Sequence, residues 1–300
     1  MYKTQIYKNQ VNKFVDEYFK NFVDNLDEIA TGEFSQAYSF ENSGSKFIIR
    51  FNSNSDEGFK KEDIIYSEHS EIPTARIIDL GKYKEFNWSL TKAYNGLQLH
   101  KLDKDSLIKV LPSLFETMNI IHSTKVEFEG FGLWGLDKKG KFNSFEEQLR
   151  NFIKFDKWES FANEHKFFNL EFVNKLKDEF EQLLKFISKE KYFLHGDFGR
   201  TNIFAIDNKI EGIIDWSEAM YGDFLLDLSW MAFWESKVDI IEEYYKFNKD
   251  NKDLDMTNFK ERTRLYMLFS SLNNLIFEVE RGREHFYNDA VLAVKRNLNY

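Results

Sequence analysis

Residues 192–216 read YFLHGDFGRTNIFAIDNKIEGIIDW. Two short apolar runs, IFAI and IEGII, flank Asp207-Asn208-Lys209 and predict a β-hairpin with a polar turn. A hairpin brings its two ends together, so Asn202, which enters it, and Asp215, which follows it, are expected to be neighbours. Upstream, His195, Asp197 and Asn202 have the spacing H-x-D-x-x-x-x-N. Two acids, an Asn and a His are thereby gathered around one tight turn of chain.

That spacing is the one used by kinase catalytic loops, in which the Asp accepts a hydroxyl proton and the Asn holds metal. The string Asp197-Phe198-Gly199 imitates the metal-binding D-F-G of protein kinases, but it stands where the base belongs. Position assigns the roles: Asp197 is the base, and Asp215, in Ile214-Asp215-Trp216, is a metal ligand. Asn202 and Asp215 offer hard oxygen donors, which Mg2+ takes alongside substrate phosphates. His195 reads as a brace for the loop. A surface hairpin with incidental acids explains any one of these residues, but not the four in this order.

Composition narrows the field. Three hundred residues with 42% apolar content suggest about two domains with real cores. No window approaches a membrane span, and MYKTQIYKNQ lacks the apolar centre of a signal peptide, so a cytoplasmic protein is expected. The absence of Cys excludes disulfides, thiolate nucleophiles and Cys-ligated zinc. A formal charge of −9 argues against nucleic-acid binding and suits a polycationic substrate.

In chain order, Val11, Phe14, Val15, Tyr18, Phe19, Phe22, Val23 and Leu26 follow helical spacing and predict a first helix over 11–26. EIATGEFSQAYSFE and KFIIRFN read as strands joined by the turn Asn42-Ser43-Gly44-Ser45. Arg50 ends an apolar strand where the kinase pattern has Lys, and Glu62 in KKEDIIYSEH is its expected ion-pair partner. RIIDLGKY and WSLTKAY form another strand pair after Pro73. Tyr94-Asn95-Gly96 then reads as a hinge, with the backbone of Lys92, Ala93 and Tyr94 facing adenine. This divides the chain into a nucleotide-binding domain, 1–95, and a catalytic and substrate-binding domain, 96–300.

The second domain opens with a helix over about 105–122, broken or kinked at Pro112, with Leu107, Val110, Leu111, Leu114, Met118 and Ile121 on its buried face. His122 reads as a helix-end residue. Ser144 and Glu147 form a capping box that starts a helix towards Phe161, and LEFVNKLKDEFEQLLKFISK forms the next.

HGDFGRTN, IDWSEAMYGD and DLSW resemble the aminoglycoside phosphotransferase family, nearest its hygromycin B phosphotransferase branch. TGEFSQAYSF, FIIRFNSNSDEGF and RLYMLFSSLNNL extend the resemblance over most of the chain. It implies an α+β, bilobal, protein-kinase-like fold, with a small antiparallel sheet lobe and a larger, mainly helical lobe. It also implies transfer of a phosphoryl group from ATP, with GTP open, and Mg2+ to a hydroxyl of an antibiotic, conferring resistance on a bacterial host. The chain is expected to act as a monomer, without nucleic-acid or membrane partners. By the same resemblance Gly32 and Ser35 contact phosphates in place of a G-x-G-x-x-G cover, Glu218 and Glu235 hold substrate ammonium groups, and Asp223 and Asp227 brace the catalytic loop. Choline, homoserine, methylthioribose and macrolide kinases share such a loop. A nucleotide-binding module without catalysis, or a metal hydrolase built from His195, Asp197 and Asp215, are the readings from other classes.

Overall fold

These periodicities become two units of different make-up in the structure, a computed structural model that describes residues 4–32, 35–298 and 300. One unit comprises Met1–Leu97 and Ile203–Ser217, the other Gln98–Asn202 and Glu218–Tyr300. Residues 203–217, read from sequence with 96–300, group here with the first unit. The cause is packing: Glu211 accepts from the amides of Asn95 and Gly96 at 3.0 and 2.7 Å. Gly96 is required here, because a Cβ at this position would lie 2.3 Å from the Ala205 carbonyl oxygen.

The first unit is built on an antiparallel sheet of β1 (Asp24–Thr31), β2 (Ser35–Asn42), β3 (Ser45–Asn52), β4 (Ile77–Tyr83) and β5 (Phe86–Lys92), in the order β1-β2-β3-β5-β4. Ser43 and Gly44, at φ 50° and 75°, make the two-residue turn whose twist suits a hairpin. Helix α1 (Lys8–Phe19) contributes Val11 and Val15 to a core with Tyr38, Phe40, Ile49, Phe51, Trp88 and Leu90. The expected helix over 11–26 is therefore too long. It stops at Lys20, which adopts a left-handed conformation with φ 55°, and Leu26 is a buried strand residue of β1. Neither Gly nor Pro signals that stop, and Phe22 continues the apolar spacing although it is 90% exposed. Helix α2 (Glu57–Glu68) follows β3, and the hairpin β10 (Ile203–Ile206) and β11 (Lys209–Ile213) completes the unit. Asp207 and Asn208, at φ 50° and 63°, form its turn, which is one residue shorter than read.

The chain enters the second unit through β6 (Leu97–Gln98) and α3 (Lys104–Ser123). Helix α3 runs through Pro112 without interruption, and the six apolar residues expected on its buried face are all buried. Strands β7 (Phe131–Trp134), β8 (Gly140–Phe142), β9 (Tyr192–Leu194) and β12 (Met220–Gly222) form a sheet in the order β8-β7-β12-β9. Ser144 caps α4 (Phe145–Ile153) by accepting from the Glu147 amide. That helix ends at Lys154, with φ 53°, before the separate α5 (Trp158–Glu164), so the single helix to Phe161 is two. The Trp158 indole donates to the Ile153 carbonyl at 3.0 Å, satisfying an end that a longer helix would not have exposed. Helices α6 (Leu170–Leu183), α7 (Leu225–Trp234), α8 (Ile240–Asn248), α9 (Phe259–Val279) and α10 (Glu284–Leu298) complete the unit, and α9 packs against α4, α6, α7 and α10. Among the described residues no helix is long and apolar enough to cross a membrane.

One buried ion pair ties α9 to the strand that precedes α7. The Arg262 guanidinium donates twice to Asp223, which also accepts from the Tyr266 hydroxyl at 2.8 Å. Asp223, expected to brace the catalytic loop, is used on α9 instead. Arg262 and Asp223 are each 1% exposed. Asp223→Ala leaves a buried guanidinium without its carboxylate and is expected to destabilise the protein by about 3–5 kcal/mol, read from a denaturant midpoint; a loss below about 1 kcal/mol would show that water or Asp255 replaces the carboxylate.

Candidate active site

Strand β9 delivers His195, Gly196 and Asp197 into a loop held from α7. Gly196 has φ 83°, and a Cβ there would lie 2.0 Å from the Glu218 carbonyl oxygen, so only Gly fits. The amides of His195 and Gly196 donate to the two carboxylate oxygens of Asp227, each at 2.9 Å. His122 Nε2 lies 3.2 Å from Asp227 Oδ2. A carboxylate only accepts, so that nitrogen carries the proton. His122 lies in the last turn of α3, as expected, and is also a second brace. Asp227 is fully buried and its charge is compensated by three donors.

The loop then closes on itself. The Gly199 amide donates to the Asp197 carbonyl at 2.7 Å, and the Asn202 amide donates to the Gly199 carbonyl at 2.9 Å. Asn202 Nδ2 donates to the Asp197 carbonyl at 3.0 Å and to Asp197 Oδ2 at 2.9 Å. The Trp230 indole donates to Asp197 Oδ1 at 2.6 Å. Asp197 is half-buried, and both of its carboxylate oxygens accept hydrogen bonds. His195 is fully buried and its Nδ1 accepts from the Asp197 amide at 3.2 Å, which suits a brace and leaves the ring proton on Nε2.

Of the two acids expected to meet substrate, Glu218 is half-buried in a 3₁₀ turn, Trp216–Glu218, directly before β12. Glu235 lies just past α7 and is occupied. Its carboxylate accepts from Arg200 at 3.0 Å and from the Lys237 amide, and its side chain is 1% exposed. Helix α7 brings it to the catalytic loop, where Arg200 takes the charge that was expected to meet an ammonium group.

In the first unit Arg50 donates through both terminal nitrogens to the Glu62 carboxylate, one bond at 2.8 Å, so the expected partners do meet. Burial alone would depress the Arg50 guanidinium, but the Glu62 carboxylate, with Asp215 and Tyr94, raises its pKa above the ordinary value. Glu62 Oε1 also accepts from the Asp215 amide at 3.0 Å. Asp215 is exposed, sits at φ 67°, and its Oδ1 accepts from the Ser217 hydroxyl at 2.9 Å. The left-handed backbone of Asp215 is held by its amide bond to Glu62, and its carboxylate is bound at Oδ1. Lys61 is buried and donates to the Ser217 carbonyl at 2.9 Å, so it belongs to this framework, whereas Lys60 is half-buried and pairs with Asp56.

At the hinge, the Ala93 amide donates to the Lys46 carbonyl at 3.0 Å as an extension of β5, and cannot also serve adenine. Asn95 and Gly96 are tied to Glu211, a clamp that sequence reading missed because its partners lie more than a hundred positions away. The Tyr94 ring lies 5.2 Å from Phe204. Burial, with Glu62 and Glu211 nearby, keeps its hydroxyl protonated well above the ordinary tyrosine range. Ser35 opens β2, and its carbonyl accepts from the Gly32 amide at 2.8 Å; Glu33 and Phe34 of that turn lie outside the described residues.

The donor chemistry fits Mg2+. Both groups that Asn202 Nδ2 touches are acceptors, so the amide nitrogen must face Asp197, which leaves the amide oxygen for a cation. In the first unit, Asp215 has an exposed carboxylate. Among the described residues no group of three or more His, Cys, Asp or Glu forms a ready cage. Mg2+ is ordinarily held by one or two protein oxygens together with phosphates and water.

Residues 26–251 match the phosphotransferase enzyme family. The chain is 26% identical over 307 aligned positions to the hygromycin-B 4-O-kinase of Escherichia coli, covering 99% of this chain and 86% of that one. A thermostable mutant of aminoglycoside phosphotransferase APH(4)-Ia, solved with AMP-PNP and hygromycin B, superposes with a TM-score of 0.79 at 24% identity, over 96% of this chain and 97% of that one. The gentamicin complex of APH(2")-IIa gives 0.67 at 13% identity, over 97% of each chain. These likenesses establish a protein-kinase-like fold.

Arg50→Glu is expected to raise the KM for Mg-ATP and depress turnover, while Lys60→Glu leaves both near wild type. Equal effects from the two reversals would reduce Arg50 to a contributor to the general field. Lys61→Glu is no neutral control, since it buries a carboxylate against the Ser217 carbonyl and is expected to lower the melting temperature.

Proposed function

Because the chain belongs to the phosphotransferase enzyme family, we propose that it transfers the γ-phosphoryl group of ATP to a hydroxyl of an aminoglycoside or aminocyclitol antibiotic of the hygromycin B kind, conferring resistance. What carries this reading is the Asp197 carboxylate, half-exposed at the end of β9 and fixed by hydrogen bonds to both oxygens. A base so placed has little to do but orient a hydroxyl and take its proton, and that is most of what phosphoryl transfer asks of a protein.

Asp197 would accept the proton of the acceptor hydroxyl as its oxygen bonds to the γ-phosphorus and the bond to the β-phosphate oxygen breaks, releasing ADP. Asn202, through its amide oxygen, and Asp215, through its carboxylate, would hold Mg2+. Bound there, the ion neutralises charge on the phosphates. Arg50, oriented by Glu62, would contact the α and β phosphates, and Ser35 the phosphates from the start of β2. At the hinge the backbone of Lys92, Ala93 and Tyr94 would meet the base, with the Tyr94 amide as donor because that of Ala93 is taken. GTP offers the same phosphates.

Glu218 is the acid we assign to a substrate ammonium. Glu235 acts on the acceptor only through Arg200, whose charge it cancels beside a polycation's binding region. One chain supplies every role, and the cytoplasm supplies Mg-ATP, so a cytoplasmic monomer is the working unit.

Phosphate transfer from Mg-ATP is to be measured by product mass across aminoglycosides, choline and macrolides. Hygromycin B is expected to gain one phosphate, with a KM that rises with ionic strength as exposed charge attraction is screened. Turnover of choline or a macrolide instead would remove the substrate class and keep the kinase. Asp197→Asn is expected to retain nucleotide binding and lose about two to four orders of magnitude in turnover; wild-type turnover by this variant would refute the assignment of the base.

A further inference from the structure

The stretch DLSW, Asp227 to Trp230, covers one turn of α7, and residues three apart share a face of a helix. Both of its outer residues reach the catalytic loop. Asp227 takes the amides of His195 and Gly196, and the Trp230 indole donates to Asp197 Oδ1 at 2.6 Å. One helical turn therefore grips the backbone that carries the base and also the carboxylate of the base.

The terminal torsion of an Asp side chain is broad, so a carboxylate bound at one oxygen still rotates. Here Oδ2 is bound by Asn202 and Oδ1 by Trp230, and that second donor stops the rotation. An indole N–H suits the task because it donates only. It does not titrate near neutral pH, and it offers no lone pair to compete for the proton that Asp197 is to receive. Trp230 is half-buried, with its N–H committed to the carboxylate.

We propose that Trp230 is a positioning residue for phosphoryl transfer, holding the Asp197 carboxylate in its productive orientation through the indole N–H. The proposal rests on Asp197 being the base. Trp230→Phe keeps the aromatic bulk and deletes the donor. Hydrogen bonds to charged groups support an expected drop in kcat of about 10- to 100-fold, with KM for hygromycin B and for Mg-ATP unchanged. In a D197A background the same substitution should change nothing further, because the residue acts only through that carboxylate. The indole N–H resonance of Trp230, one of six in the chain, should shift in a nitrogen–proton spectrum of D197A.

Three results would overturn the proposal. They are an unmoved indole resonance in D197A, an equal loss from W230F with and without Asp197, and a raised KM for hygromycin B with kcat retained, which would make the ring a substrate platform. Should W230F not fold, assignment of the wild-type indole resonances by through-bond experiments lets the D197A spectrum decide. If D197A itself turns over like wild type, the base assignment fails, while the spectrum still reports separately on the contact.

Discussion

The carboxylate of Asp227 is the interaction on which the second unit's chemistry depends. It is fully buried, and it is tolerable there because two backbone amides and His122 donate to it. Those amides belong to His195 and Gly196, so compensating a buried charge and setting the exit of β9 are the same event. Gly196 completes the arrangement, since the turn presses against the Glu218 carbonyl and has a positive φ. Asp197 then has little freedom, and its own hydrogen bonds to Asn202 and Trp230 remove most of what is left.

The first unit uses the same device with the charges reversed. Arg50 is buried beside Glu62, and the carboxylate that compensates it also accepts the Asp215 amide. A cation assigned to phosphate and a carboxylate assigned to metal are thus linked through one intervening side chain. Arg50, Asp215 and the loop that carries Asp197 are each held by a neighbour whose own charge had to be satisfied. Catalytic geometry here follows from electrostatic necessity in the core.

Net acidity gives a weaker guide to the acceptor than it first suggests. Glu235 neutralises Arg200, Glu278 pairs with Arg283, and Glu280 pairs with Lys154. These acids are spent within the protein, and a charge of −9 counts them all the same. Attraction for a polycation depends on acids that are not neutralised within the protein, which is why Glu235, paired with Arg200, changes to an indirect assignment.

Much was legible in the sequence alone. Short-range patterns determined the hairpin after Asn202, the turn at Ser43 and Gly44, the cap at Ser144 and the buried face of α3, because each depends on residues within a turn or two of one another. The Asp197–Asn202 contact was legible because the spacing is local, and the Arg50–Glu62 pair because a strand and the next helix are adjacent in the chain. Long-range packing decided the rest. The grouping of residues 203–217 with the first unit, the Glu211 clamp, the Arg200–Glu235 pair and the Trp230 contact all join positions whose proximity has no local signature. Asp223 and Asp227 look equivalent in sequence, yet one holds α9 and the other the catalytic loop. Burial forces each to find donors, and only the tertiary fold determines which donors are within reach.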